Sequence, residues 1–206
     1  MSPRRPRETQ PDRADPADAD TRTRILEAAR ELAIEAGFRR FSIGKVAERA
    51  GVSRMTVYYQ FGTRDELFRA LFNHMAARGR LDRLPEVFSQ PEPLDALEQF
   101  IDVFCGFWAT DPAGMRRMRA WARVEGGGEA ARERDRWRRQ ALDTIVRRIR
   151  ERRGVPAEED MDDVVSLLYA LTSFESYEYL AEGGRGAEEV AALMKRAARE
   201  IVGVEA

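Results

Sequence analysis

Between positions 54 and 60 the chain places a guanidinium, a thioether, a hydroxyl, two phenols and an amide: Arg54, Met55, Thr56, Tyr58, Tyr59 and Gln60. On a helix these crowd into fewer than two turns, with the reach to meet base edges in a DNA major groove and the phosphates beside it. Arg54 suits a guanine, Thr56 a second base edge, and Met55 a thymine methyl. Ser42, Lys45, Tyr58, Tyr59 and Arg64 carry groups that suit phosphate oxygens. Arg64 opens the next helix, where first-turn N–H groups and the positive end of the dipole also favour an anion.

Those side chains are useful only if the backbone aims them, and the flanking sequence supplies the means. Ser42 is placed to cap a short helix whose inner face is Val46, Ala47 and Ala50. Gly51 follows where the chain must turn sharply, which glycine does without a Cβ clash. Ser53 caps the second helix, and Val57 falls where it packs back on Val46 and Ala47. Alanine, glycine four residues later and valine six beyond is the spacing of a helix-turn-helix: the alanine admits a close crossing, the glycine turns the corner and the valine fills the angle. Phe61 and Gly62 close the second helix, and Thr63-Arg64-Asp65-Glu66 reads as a capping box for the next.

The residues Ser42-Ile43, Val46-Ala47, Ala50-Gly51-Val52-Ser53, Thr56-Val57-Tyr58, Phe61 and Thr63-Arg64-Asp65-Glu66-Leu67 together carry a resemblance. This stretch resembles the DNA-binding domain of the tetracycline repressor (TetR) family of bacterial regulators. With the preceding helix, the likeness covers about the first third of the chain. Gln60 departs from it, standing where many members carry Tyr or His. The resemblance implies an all-α protein: a three-helix helix-turn-helix head, then a helical domain for ligand binding and dimerisation. It implies a homodimer that grips a palindromic operator in double-stranded DNA, most often a repressor, released by a small-molecule inducer.

Composition sets wide bounds. The 206 residues carry a net charge of −1, and the nine basic and six acidic residues between Thr21 and Leu67 leave that stretch at +3. The excess is mild, but charge segregated to one region is compatible with DNA. A lone Cys105 rules out an internal disulfide framework and suits a reducing cytoplasm. No apolar run approaches the ~18 residues a membrane span needs. The first residues lack the apolar core of a signal peptide. The expectation is a soluble, cytoplasmic protein with no membrane partner.

Along the chain, residues 1–20 are rich in Pro, Arg, Asp and Ala and are expected to be a disordered tail. Arg4-Arg5-Pro6-Arg7 is either an arm that follows DNA or part of a solvated tail; five acids after it argue for the tail. Residues 21–67 form the expected head. Ile25, Leu26, Ala29, Leu32 and Ala33 recur at helical spacing in its first helix, Gly37 ends it, and Phe38 and Phe41 plug its core. Residues 68–206 form the second domain. Leu67, Phe68, Leu71, Phe72 and Met75 stripe a connecting helix to about Arg80, and Pro85, Pro91 and Pro93 mark a loop. Helices are then expected near 93–110, 112–124, 129–153, 157–181 and 186–203, punctuated by Pro and Gly.

Phe100, Phe104, Phe107, Trp108 and Trp121, with Tyr169 and Tyr177, either line a pocket for a hydrophobic inducer, as the resemblance implies, or are ordinary core. The stripes Val164, Val165, Leu168, Leu171, Phe174 and Val190, Leu193, Met194, Ala197, Ile201 on the last two helices either pack internally or pair with a twofold mate. The resemblance favours the mate. His74 is the single histidine and makes no metal site alone; it senses an inducer, tunes a hinge or, more simply, is a surface or satisfied histidine. Cys105 is a redox sensor or a small apolar filler. The arginine-rich runs 132–136 and 147–153 carry interleaved acids, which points to the solvated face of a long helix.

An enzyme would have to work with carboxylates alone, such as Glu175 and Glu178, which a helix surface explains more simply. No cofactor, metal or catalytic residue is expected. The remaining alternative is a helical ligand-binding dimer whose head has lost specific DNA binding.

Overall fold

A computed structural model describes residues 16–36, 41–124, 128–154 and 160–203, with side chains described in these stretches except at 16, 36, 121–124 and 128–131. Every regular element among them is helical: α1 Pro16–Ala36, α2 Ile43–Ala50, α3 Arg54–Phe61, α4 Arg64–Arg78, α5 Leu84–Phe88, α6 Pro93–Thr110, α7 Pro112–Val124, α8 Gly128–Arg153, α9 Met161–Leu171, α10 Phe174–Ala181 and α11 Ala187–Ile201. A single 3-10 turn, Leu81–Arg83, lies between α4 and α5. No described helix is long and apolar enough to cross a membrane.

The first three helices make a small head. Ile25, Leu26, Ala29, Leu32 and Ala33 of α1 are buried with Val46, Ala47, Ala50 and Val57. Phe41 closes this core from below, its ring 4.5 Å from that of Phe68 on α4. Gly37 and Phe38 lie outside the described residues. Helix α1 starts at Pro16, earlier than the expected boundary at Thr21. Proline at the first helical position loses no hydrogen bond, and Asp18 in the first turn complements the dipole. Residues 1–15, including the Arg4-Arg5-Pro6-Arg7 cluster, lie outside the described residues.

The body is built around α6. This helix buries Ala96, Leu97, Phe100, Ile101, Val103, Phe104, Cys105, Phe107 and Trp108, because α5, α8 and α11 pack about it. A helix apolar on so many sides must be central. Its aromatic rings touch in sequence: Phe100 to Phe104 at 4.6 Å, Phe104 to Trp108 at 5.8 Å and Phe107 to Trp108 at 4.6 Å between centroids. Cys105 lies in this core, 3.6 Å from the Met194 sulfur, and burial pushes its thiol up to about 12. A thiol so held is not ionised near neutrality, which disfavours nucleophilic reactivity.

Two details differ from the sequence expectation. The loop around Pro85 contains α5, whose Leu84 and Val87 are buried and whose early proline is compatible with a first turn. The helix expected over 157–181 is broken into α9 and α10. Ser173 adopts an extended backbone and caps α10, its hydroxyl accepting from the Ser176 N–H at 3.1 Å. Just before it, the buried Thr172 hydroxyl donates to the Leu168 carbonyl at 2.8 Å. The apolar stripes of α9, α10 and α11 are covered within the chain at Val165, Leu168, Phe174, Val190 and Met194. Val164, Leu171, Leu193, Ala197 and Ile201 stay half-buried, and Leu167 is exposed.

Candidate nucleic-acid interface

Three caps in series define the geometry of the head. The Ser42 hydroxyl accepts from the Lys45 N–H at 3.3 Å and starts α2. Gly51 ends it at φ 66°, in the left-handed region. A Cβ at Gly51 would meet nothing within 4 Å, so the glycine is required by backbone conformation and not by space. The Ser53 hydroxyl accepts from the Thr56 N–H at 3.0 Å and starts α3. Gly62 ends α3 at φ 69°, its N–H donating to the Tyr58 carbonyl at 2.7 Å. Thr63 and Glu66 then form a reciprocal capping box: Thr63 Oγ1 accepts from the Glu66 N–H at 3.2 Å, and Glu66 Oε2 accepts from the Thr63 N–H at 2.9 Å. Those bonds from Thr63 hold the Glu66 carboxyl below the ordinary carboxylate range.

With both ends of α3 set, its inner face is Val57 and Phe61, both buried. Its outer face is open: Tyr59 is 83% exposed, Met55 74% and Tyr58 49%. Arg54, Lys45 and Ser42 are also exposed. Thr56 is half-buried, its hydroxyl 2.9 Å from that of Ser53. Arg64 is half-buried, its guanidinium 5.2 Å from the centre of the Phe68 ring.

Three further contacts, none anticipated in the sequence, set the aim of α3. Gly44 on α2 lies under the Arg54 side chain; a Cβ there would stand 2.8 Å from Arg54 Nη2, so a larger residue would shift the guanidinium from this path across α2. Arg22 of α1 donates to the Gln60 carbonyl at 2.6 Å and sits 4.3 Å over the Phe61 ring. It thereby satisfies one of the carbonyls that a helix C-terminus leaves open. Arg49 ties α2 to α1 through Glu35 at 2.5 Å and Glu31 at 3.7 Å. A glycine inside a helix was a visible signal for the first contact. The other two rest on residues that resemble any solvated helix face.

Residues 25–71 match the family model described as bacterial regulatory proteins, tetR family. Residues 25–71 thus carry the DNA-binding region of the tetR family of bacterial regulatory proteins. Similar relatives include the HTH-type transcriptional regulator TtgR of Pseudomonas putida, 30% identical over 83 residues, or 40% of either chain. The HTH-type transcriptional repressor BepR of Brucella suis is 31% identical over 94 residues, 45% of either chain. The matched stretch thus spans less than half the length of these curated relatives. Solved structures resemble more of the chain. A TetR transcription regulator from Haloarcula marismortui superimposes with a TM-score of 0.65 at 21% identity, covering 89% of this chain and 97% of that one. A TetR-like regulator from Rhodococcus sp. RHA1 gives 0.67 at 21% identity, covering 90% and 97%. At such identities the likeness is one of fold.

The head is fastened to the body by a cluster of charges around Glu27 of α1. His74 Nε2 lies 2.7 Å and Arg78 Nη1 2.5 Å from Glu27 Oε1, both from α4. Arg30 Nε donates to Glu27 Oε2 at 2.9 Å, and its Nη1 to Asp111 Oδ2 at 2.9 Å, in the turn between α6 and α7. Burial pushes the Glu27 carboxyl up, but the hydrogen bonds from His74, Arg30 and Arg78 outweigh it and hold the group at about 2. His74 is therefore a partly buried histidine satisfied by a carboxylate from α1. Farther up α4, Arg134 of α8 stacks 3.6 Å over the Phe72 ring and donates to Asn73 Oδ1 at 3.1 Å. At the end of α4, Gly79 touches Phe107 so closely that a Cβ would stand 2.3 Å from its ring.

The aromatic residues of the body are brought together, as a packed interior. Phe100, Phe104, Phe107, Trp108 and Tyr177 are buried, and Tyr169 is half-buried. Trp121 falls in α7, but its side chain lies outside the described residues. Phe107 borders a void of about 10 Å³ with Arg30, Met75, Arg78, Thr110, Asp111 and Met115. A larger concavity of about 720 Å³ opens between α1 and α4, lined by Arg22, Leu26, Phe61, Arg69, Asn73 and His74 among others. Glu175 and Glu178 are both engaged: Arg119 donates to Glu175 at 2.9 and 3.0 Å, and Arg116 to Glu178 at 2.5 Å. These ion pairs tie α10 to α7.

Proposed function

We propose that the protein is a DNA-binding transcriptional regulator, acting in the cytoplasm as a homodimeric repressor of a palindromic operator. The observation that carries this reading is the outer face of α3, where Arg54, Met55, Tyr58 and Tyr59 stay exposed while caps at both ends fix the helix. A large aromatic left bare on a short, rigid helix stabilises nothing in the free chain; it is explained by a partner. In this reading Arg54 and Thr56 read base edges and Met55 meets a thymine methyl. Ser42, Lys45, Tyr58, Tyr59 and Arg64 hold phosphates. Arg54 lies across Gly44, so it reaches the groove from a preset direction.

A palindrome needs two heads about 34 Å apart, one per successive major groove. The half-buried residues Val164, Leu171, Leu193, Ala197 and Ile201, with exposed Leu167, supply a face for a twofold mate. Release follows if a small hydrophobic ligand binds the body better when the heads are misplaced, since only differential affinity shifts such an equilibrium. Coupling of about 1–3 kcal/mol, typical of such systems, changes operator affinity roughly 5–150-fold. Phe100, Phe104, Phe107, Trp108, Trp121, Tyr169 and Tyr177 are the ligand-facing set; Phe100, Phe104, Phe107, Trp108 and Tyr177, which are buried, must part to admit a ligand. The links from Phe107 to Gly79, Arg134 to Phe72 and Asp111 to Arg30 carry the change to the head.

The test is selection of bound sequences from random duplex DNA by the purified full chain without ligand. An enriched palindrome supports the dimeric regulator. A folded dimer that enriches nothing would favour a ligand-binding dimer without specific DNA binding.

A further inference from the structure

Among the described residues, the body contains one charged side chain whose burial nothing above explains. Arg138, in the middle of α8, is only 4% exposed. Its guanidinium lies 3.9 Å from the centre of the Tyr169 ring and 6.0 Å from that of Phe104. Nη1 donates to the Tyr169 carbonyl at 3.0 Å and to Thr172 Oγ1 at 3.1 Å, at the break between α9 and α10. The Trp108 indole donates to the Thr172 carbonyl from the other side at 3.2 Å.

A buried guanidinium normally has a carboxylate, because removing a cation from water costs several kcal/mol unless a counter-charge compensates. Arg138 has none within the described residues. Asp135, the acid whose charge is felt at Arg138, lies 3.8 Å from Arg119 Nη1. Burial accordingly pushes the Arg138 pKa down, partly opposed by Tyr169 and Asp135. The hydrogen bonds are also lopsided. Both go through Nη1; the edge formed by Nε and Nη2 makes none within the described residues and is not sealed from solvent. That is the edge on which a carboxylate accepts two parallel hydrogen bonds. A fork anchored on one side and unspent on the other is preorganised for an anion.

We propose that Arg138 is the anion-binding centre of the body, and that the ligand is a small carboxylate with an apolar or aromatic body. The carboxylate takes the Nε–Nη2 edge, and its apolar part packs against Phe104, Trp108 and Tyr169 as their rings part. This deepens the ligand-responsive reading above and rests on it. The site also has a route to the head. Arg134 stands one turn earlier on α8 and grips α4 at Phe72 and Asn73. A shift of α8 toward or away from Thr172 therefore moves the helix that carries the head.

The experiment is calorimetric titration of the full chain with decanoate and 2-naphthoate, and with the matching neutral amides. The panel is repeated on Arg138→Met and Arg138→Lys, with circular dichroism confirming the fold of each variant. The unaltered chain should bind at least one acid tenfold or more tighter than its amide. Arg138→Lys should cut that preference severalfold, since an ammonium keeps the charge but lacks the planar fork, and Arg138→Met should abolish it. Arg138→Lys keeps the test open if Arg138→Met fails to fold. Equal binding of acid and amide, no binding of either acid up to millimolar concentration, or a preference surviving both variants would overturn the assignment. Amide binding that weakens DNA affinity would still leave a ligand-responsive regulator, with Arg138 reduced to a tie between α8 and the break at Thr172.

Discussion

In the head, α2 and α3 are eight residues each and are held by their ends; in the body, α6 is eighteen residues long and is held by its sides. Helices as short as α2 and α3 are unstable alone, and capping hydrogen bonds matter most where there are few internal ones. Ser42, Ser53 and Thr63 supply them within twenty-two consecutive residues. Helix α6 has no side-chain cap and begins at a proline, yet it is the most deeply buried element of the body. The head spends its sequence on shape, because its partner lies outside the chain. The body spends its sequence on filling, because its partners are its own helices.

The sharpest way to break that contrast is to empty the body. Phe100→Ala removes a fully buried ring and should destabilise the protein by about 3–5 kcal/mol. Chemical denaturation would report it, and a loss below 1 kcal/mol would mean that the aromatic cluster is loosely packed even without ligand. Next in size is a change to the head's outer face. Arg54→Ala should leave the melting temperature nearly unchanged while costing about 1–3 kcal/mol of operator affinity and relaxing preference at one base pair. Lys45→Ala should instead weaken all sequences alike and reduce the salt slope by about 1. Binding titrations at several salt concentrations separate the two, and an intact sequence preference in Arg54→Ala would remove Arg54 from base reading.

A smaller effect is expected at the caps. Thr63→Ala breaks the box that starts α4 and should cost about 1 kcal/mol, read as a lower denaturation midpoint. No change would mean that packing of Leu67 and Phe68 holds that turn unaided. The mildest readout is a pH profile at the joint between head and body. The Glu27 carboxyl is held at about 2 against an ordinary 4.5. A carboxylate depressed by folding contributes stability that is fully present above the ordinary value and lost as pH falls toward the depressed one. Glu27→Gln should therefore flatten the acid dependence of stability between about 4.5 and 2. An unchanged acid profile would place the acid-sensitive group elsewhere.

The same contrast governs what could be read before the structure. Ser42, Gly51, Ser53, Val57, Gly62 and Thr63 were legible because each acts on neighbours within a few residues, and local geometry is written in local sequence. Arg22 was not, because its role depends on the Gln60 carbonyl, 38 positions away. The break at Thr172-Ser173 passed as continuous helix although a serine cap followed it, since an apolar stripe ran through both halves. Arg138 was not singled out in the sequence, because nothing in its neighbours shows that this one guanidinium turns inward under Tyr169.

By itself, then, the sequence determined the all-α class, the helix-turn-helix, its caps and the polar outer face of α3, all of which follow from periodicity and steric demands spanning about one helical turn. Tertiary structure alone decided which charges meet across long separations: Glu27 with His74 and Arg78, Arg30 with Asp111, Arg134 with Asn73, and Arg138 with the break at Thr172. The reason is physical. A cap or a glycine turn is worth the same wherever the segment lies, whereas an arginine's role depends on how much water its surroundings remove and on which groups are left to replace it.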